Sequence, residues 1–430
     1  MLFATGESYY QYVPKWGARC VNFFILLMLA STVTVEKGFG FFSLLLILIA
    51  LFFLPAQRKR LPLTKYEKIW LLLLVSMFGS GFVSFWLKDP SLRGWSYLDL
   101  PSRFLLIIPL YLYLRRVYLL ERFFWLGCAL GAIGSGVIGS YQYYKFGYLP
   151  VRGAANHHIL YGDLSMCLAF LSALGYPFFN KLRLRYGQFL SLFGFVGGLV
   201  GATLSTARGS WLALPLLLGV LVLLNRDKVS RSLLFVIFGV PLLIFCALYM
   251  APGSMVKQRV NAIHVEVGDY FQRDITNTSI GARFEMYKGA WIIFTRNPLF
   301  GAGTGTYEEE AIRLQEEKKI KSLPEKFNQP HNEFLHVLAT RGIVGFIALM
   351  IFFLLPLWYF IRAMAYKPLS YLSQAGVVLY VSYLEFALTE SILNRMLSLM
   401  FFLLVSSVII AFLQQRGMRE KDEKIDLSWI

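Results

Sequence analysis

The chain has 430 residues, of which 57% are hydrophobic and only 16% charged, against roughly 45–50% and about 25% in soluble domains. This excludes an ordinary soluble protein, and it excludes a disordered one, which needs low hydrophobicity. The net charge of +17 points to nucleic acid or a membrane surface as partner, and the placement of that charge decides between them.

Apolar runs follow one another along the chain, near 20–35, 38–54, 69–87, 104–120, 123–146, 159–179, 188–205, 210–225, 233–251, 337–361, 369–389 and 393–414. A spanning helix needs about 20 mostly apolar residues. The series therefore predicts an all-α, polytopic integral membrane protein with about twelve transmembrane helices. The first two runs and the pair flanking Arg208 are short. Residues 1–19 are polar and aromatic, and no small-residue cleavage site follows the first apolar run, so the N-terminus does not read as a cleavable signal peptide.

Lys and Arg number 22 in one set of alternate loops and 8 in the other. This bias predicts that both termini are cytoplasmic. It assigns most of the positive charge to orientation and to contact with anionic membrane lipids rather than to nucleic acid. One outer loop is long. From Ala251 to Arg341 there are 12 basic and 11 acidic residues, and amphipathic stretches at 283–294 and 307–319 predict short helices lying over the membrane. The layout divides into helices one to nine at 1–251, an outer loop region at 252–336, helices ten to twelve at 337–414 and a cytoplasmic tail at 415–430.

Cys20, Cys128, Cys167 and Cys246 lie in or beside apolar runs with no metal-ligand spacing and read as small hydrophobes. No metal and no cofactor are expected. The five histidines, His157, His158, His264, His331 and His336, all fall outside the cytoplasmic loops. Histidine is the side chain suited to proton chemistry near neutral pH. His331 stands out in Gln329-Pro330-His331-Asn332-Glu333. Pro330 suits a first helical turn, which would put His331 at a helix N-terminus. There the dipole disfavours imidazolium and leaves the neutral ring a general base needs. His336, about 140° further round the helix, is expected to pack against a neighbour.

Three outer arginines are poorly placed for mere solubility. Arg208 lies between two apolar runs, where a lone cation needs water or a partner. Arg283 opens an amphipathic stretch with Tyr287 and Trp291, and Arg152 precedes Gly153-Ala154-Ala155-Asn156-His157-His158. Guanidinium matches phosphate oxygens in a two-pronged way, so several such arginines beside one histidine suggest a phosphate-bearing ligand and a base. Gly301-Ala302-Gly303-Thr304-Gly305 lacks the Lys-Ser/Thr of a nucleotide loop and reads as a flexible turn. Glu385 is expected to pair with a nearby Arg, and Glu308, Glu309 and Glu310 to form a solvated helix face.

These residues carry a resemblance. His331-Asn332, nine residues, then Gly342-Ile343-Val344-Gly345 resembles the His-Asn/Ser/Gln-x9-Gly-x-x-Gly signature of bacterial O-antigen ligases. Arg283, Trp291, Asn297-Pro298-Leu299-Phe300-Gly301 and Gly303 look like the segment preceding it in that family, and Ser205-Thr206-Ala207-Arg208-Gly209 like its Ser-x-x-Arg-Gly element. The Arg elements are shared with glycan polymerases. The resemblance implies a glycosyltransferase of the Gram-negative inner membrane with a periplasmic active site. It would move polysaccharide from undecaprenyl pyrophosphate to a sugar hydroxyl of lipid A–core. His331 would be the general base and Arg208 and Arg283 would hold the donor pyrophosphate. Asn332, Arg152 and Asn156 extend the expected substrate-binding set. A polymerase using the same donor is the nearest alternative, and a lipid-linked sugar transporter is a more distant one. The polar candidates cluster at one face and no repeat relates the halves, both against the habit of transporters.

Overall fold

The computed structural model describes residues 15–54, 61–87, 94–147, 149–228, 230, 239, 249–250, 265–273, 275–276, 278–321, 329–364 and 370–426. Among them no strand occurs, and the all-α expectation holds. The long helices in chain order are α1 (Lys15–Ala30), α2 (Gly38–Phe53), α3 (Lys65–Trp86), α4 (Asp99–Leu114), α5 (Glu121–Phe146), α6 (His158–Lys181), α7 (Arg185–Leu204) and α8 (Arg208–Leu224). They continue with α9 (Ser279–Arg296), α10 (Tyr307–Glu316), α11 (Glu333–Ala363), α12 (Ser370–Thr389) and α13 (Met396–Asp426).

Eight of the described helical segments are long and apolar enough to cross a membrane, and three shorter apolar ones, α1, α2 and α8, accompany them. The chain is thus a multi-pass membrane protein. The ninth predicted run, 233–251, lies for the most part outside the described residues, as do His264 and Cys246. Two boundaries differ from the sequence reading. α11 starts at Glu333, inside the predicted outer loop region, and α13 runs to Asp426, through most of the predicted tail.

The packing follows from residue size. α5 and α7 meet along a glycine seam, where a Cβ on Gly136 would stand 2.7 Å from the Gly197 carbonyl oxygen and one on Gly197 2.8 Å from Ile133 Cα. Small residues at such spacing let backbones approach closely, which dispersion rather than the hydrophobic effect must reward in lipid. α6, α12 and α13 are the most enclosed spans, and their apolar side chains form the main core with α4 and α11.

α9 and α10 build a second, smaller core at one end of the bundle. Met286, Ala290 and Ile293 of α9 pack with Tyr307, Ala311 and Leu314 of α10 and with Ala339 of α11. The Tyr307 hydroxyl donates to the Met286 carbonyl at 2.9 Å. Glu308 and Glu309 are exposed and Glu310 bonds Arg313 at 3.0 Å, as expected of a solvated face.

Candidate active site

The end of the bundle that carries His331 is organised by a break in α11. Gly342 has φ 65° and ψ −162° inside that helix, a conformation open to glycine and strained for any residue with a Cβ. A break leaves carbonyls before it and N–H groups after it without helical partners. The 298–303 loop supplies those partners. Ile343 and Val344 N–H donate to the Pro298 and Leu299 carbonyls at 2.8 and 3.2 Å. Ala302 and Gly303 N–H donate to the Ala339 and Thr340 carbonyls at 2.8 and 3.0 Å. The glycine-rich segment is therefore a brace. The sequence reading of a flexible turn is corrected, because two of its N–H groups are committed to α11 carbonyls and the Thr304 hydroxyl donates to the Gly81 carbonyl at 2.8 Å.

The brace fixes the first turn of α11. Asn332 is its N-cap, the side-chain oxygen accepting from Leu335 N–H at 3.0 Å. Pro330 is therefore not in a first turn. His331 precedes the cap with φ 48°. His331 therefore stands just outside the N-terminus of α11, beside a carboxylate. His331 Nδ1 lies 2.6 Å from Glu390 Oε2. A carboxylate can only accept, so Nδ1 carries the proton that bonds Glu390.

Glu390 sits between α12 and α13, fully buried. Gln329 Nε2 donates to its Oε1, Arg395 Nη2 stands 3.5 Å from the same oxygen, and Asn394 holds Gln329 at 3.1 Å. Burial alone would raise this carboxyl, but the His331 hydrogen bond and the nearby His331 and Arg395 charges outweigh it and hold Glu390 below the usual carboxylate range. Sequence reasoning assigned the Arg partner to Glu385. The structure gives it to Glu390, while Glu385 Oε2 is buried without a hydrogen-bond partner.

Arg283 and Tyr287 lie one turn apart on α9. Burial raises the Tyr287 hydroxyl above its ordinary value, partly offset by the Arg283 charge and a hydrogen bond with Asn332. Asn332 also donates to the Leu388 carbonyl at 3.2 Å. Arg283, Asn332 and His331 thus share one site, with Tyr287 between them. His157 joins it, pushed down to about 4 by burial and by the Arg395 charge. Its ring stacks on His158 at 5.5 Å, and Arg152 acts electrostatically on His158.

The other predicted residues sit at the same end. Arg208 is the exposed first residue of α8. Its neighbour Gly209 abuts Thr389, where a Cβ would stand 2.3 Å from the hydroxyl oxygen, one residue before Glu390. Arg152 is exposed, and the Asn156 amide is tied to Glu36 at 3.3 Å. His336 is buried with its ring 6.1 Å from that of Tyr307, as expected of a packing residue. Among the described residues no group of three or more His, Cys, Asp or Glu is placed to hold a metal ion. Gln329, Tyr287, Glu390 and Arg395 were not singled out as site residues from sequence. The Gln-Pro-His run hinted at the first, and Glu390 with Arg395 were visible only as charges beside apolar runs.

Residues 193–350 match the family model for O-antigen ligase. That matched segment holds Arg208, Arg283, the brace and His331-Asn332 up to Gly345. An uncharacterized protein of Haemophilus influenzae is 26% identical over 379 residues, covering 87% of this chain and 93% of its own length. The similarity to that relative therefore extends well beyond residues 193–350.

Proposed function

We propose that the protein is an O-antigen ligase, moving polysaccharide from undecaprenyl pyrophosphate to a sugar hydroxyl of lipid A–core. The reading rests on the 2.6 Å contact between His331 Nδ1 and Glu390, within a segment that matches this family. Nε2 of His331 takes the proton from the acceptor hydroxyl as its oxygen forms a bond to the anomeric carbon of the donor. The bond from that carbon to the diphosphate oxygen breaks, and undecaprenyl pyrophosphate leaves with the electron pair. Single attack inverts the anomeric centre. Glu390 balances the positive charge the ring acquires. Arg283 and Arg208 offset charge on the departing diphosphate, so no metal is required. Arg152, Asn156 and Asn332 extend the contacts to substrate.

The arrangement suits the periplasmic face of a Gram-negative inner membrane, with both termini cytoplasmic. Purified protein in detergent, given lipid-linked donor and lipid A–core with chelator present, should form the linked product. Formation of none would overturn the reading. A deletion strain should keep long chains on the carrier and none on lipid A–core. Single repeat units on lipid A–core would identify a polymerase instead.

A further inference from the structure

The end of the bundle away from His331 carries an apolar crevice. It is shallow and lies between α3, α11 and α13. Tyr66, Ile69 and Trp70 of α3 face Leu355, Trp358 and Tyr359 of α11 across it. Its walls are almost wholly apolar, with one exception. The Trp70 indole N–H has no acceptor although the residue is only 2% exposed. A buried donor left unpaired is destabilising, and a ligand acceptor in the crevice would relieve it.

Helical spacing extends both walls into positive charge. Lys65 precedes Ile69 by four residues, and Arg362 follows Trp358 by four, so each cation continues a lining stripe towards the helix end. Both are exposed, and the Arg362 guanidinium sits 4.5 Å over the Trp358 ring. The nearby acid, Glu67, does not neutralise them. It is buried and bound by Arg115 at 2.5 Å and by the Tyr111 hydroxyl at 2.9 Å.

We infer that this crevice binds an anionic phospholipid of the leaflet away from His331. One acyl chain lies between α3 and α11, and the phosphate meets Lys65 and Arg362. The ester carbonyl region accepts the Trp70 N–H, which lies about 7.5 Å along the helix from Lys65. Charge complementarity singles out an anionic over a zwitterionic lipid. Basic pockets between spanning helices are where such headgroups bind. The inference is independent of the glycosyl-transfer reading.

Delipidated full-length protein in detergent can be titrated with dioleoyl phosphatidylglycerol and, separately, dioleoyl phosphatidylcholine, with bound lipid counted by native mass spectrometry. Phosphatidylglycerol should bind more tightly. Lys65→Gln and Arg362→Gln should each weaken it about fivefold, the effect of one basic residue near anionic lipid, and leave phosphatidylcholine unchanged. Trp70→Phe, which removes the N–H together with part of the ring, should weaken both lipids alike. Because a variant can fail to fold, a photoactivatable phosphatidylglycerol is also applied to the unmodified protein, where it should label peptides spanning 66–73 and 355–359. Equal affinity for the two lipids, wild-type phosphatidylglycerol binding by both Gln variants, or labelling confined to other peptides would each overturn the proposal.

Discussion

His331 Nδ1 and Glu390 Oε2 stand 2.6 Å apart although 59 residues separate them in the chain. The contact fixes which ring nitrogen carries the proton and places a buried negative charge behind it. Glu390→Gln keeps an acceptor for Nδ1–H but removes the charge that balances a protonated ring. We expect the transfer rate to fall by about 10²–10⁴-fold, the range of general acid–base contributions, with little change in KM for the donor. A turnover assay on folded, inserted protein checks it. Wild-type turnover would remove Glu390 from the mechanism.

Much of this architecture was legible in the residues. The apolar runs gave the helices because a membrane forces every backbone group to be satisfied within a segment. The His331 motif and Arg283 were legible because each is a polar group at an apolar border. Glu390 was not, because its role depends on how α12 and α13 bring their junction against the start of α11, which no local pattern encodes. The helix start was misplaced for a similar reason. Pro330 and Asn332 both suit a helix beginning, and only the Leu335 N–H bonded to Asn332 at 3.0 Å shows which of them caps it. Gly301 to Gly305 read as loose because glycine permits many conformations. Only the broken helix opposite shows why these are needed.

That brace gives a stability prediction. A Cβ at Gly342 would stand 2.4 Å from the Leu299 carbonyl oxygen, on a backbone with φ +65°. Gly342→Ala should destabilise the protein by more than about 2 kcal/mol, combining backbone strain with displacement of the loop. Gly40 in α2 has no atom within 4 Å of its built Cβ, so Gly40→Ala should be neutral or stabilising by up to about 1 kcal/mol. Thermal unfolding in detergent compares the two. A Gly342→Ala midpoint matching that of Gly40→Ala would mean the break is dispensable.

Arg283 offers a test of anion recognition. If its guanidinium holds the donor diphosphate in two-pronged fashion, Arg283→Lys keeps the charge but loses the geometry. Arg283→Ala should lower kcat/KM by about 10²–10³-fold, as for loss of one preorganised donor to developing charge, and Arg283→Lys should recover only a small part. Steady-state kinetics with varied donor separates the cases. Full recovery by Lys would reduce the role of Arg283 to charge alone.

His157 predicts a pH dependence. Burial and Arg395 push it down to about 4, below the ordinary value near 6.5. A depressed histidine takes up a proton in the unfolded chain before the folded one. Stability is therefore retained above about 6.5 and falls as the pH drops from there towards 4. Wild type should lose thermal stability between pH 7 and pH 5. His157→Gln, which has no proton to gain, should lose less. Parallel loss in both proteins would assign the acid sensitivity to other groups.

At the opposite end of the bundle, Glu67 and Arg115 form a two-pronged pair with side-chain exposures of 0% and 1%. The Arg115 guanidinium also reaches the Leu61 and Pro62 carbonyls at 3.1 and 2.9 Å, and Glu67 caps α3 by accepting from Thr64 N–H at 2.8 Å. Removing one partner strands a charge away from water, which costs about 3–5 kcal/mol in buried pairs, whereas replacing both with apolar groups of similar volume is often close to neutral. Glu67→Gln and Arg115→Met should each lower the unfolding midpoint sharply. The double variant should fall well short of their sum, because neither charge is then left alone. Its loss should still exceed zero, since the α3 cap and the tie to the 61–62 backbone are weakened as well. Additive losses in the cycle would show that the two side chains act separately, with the pairing itself contributing nothing to stability.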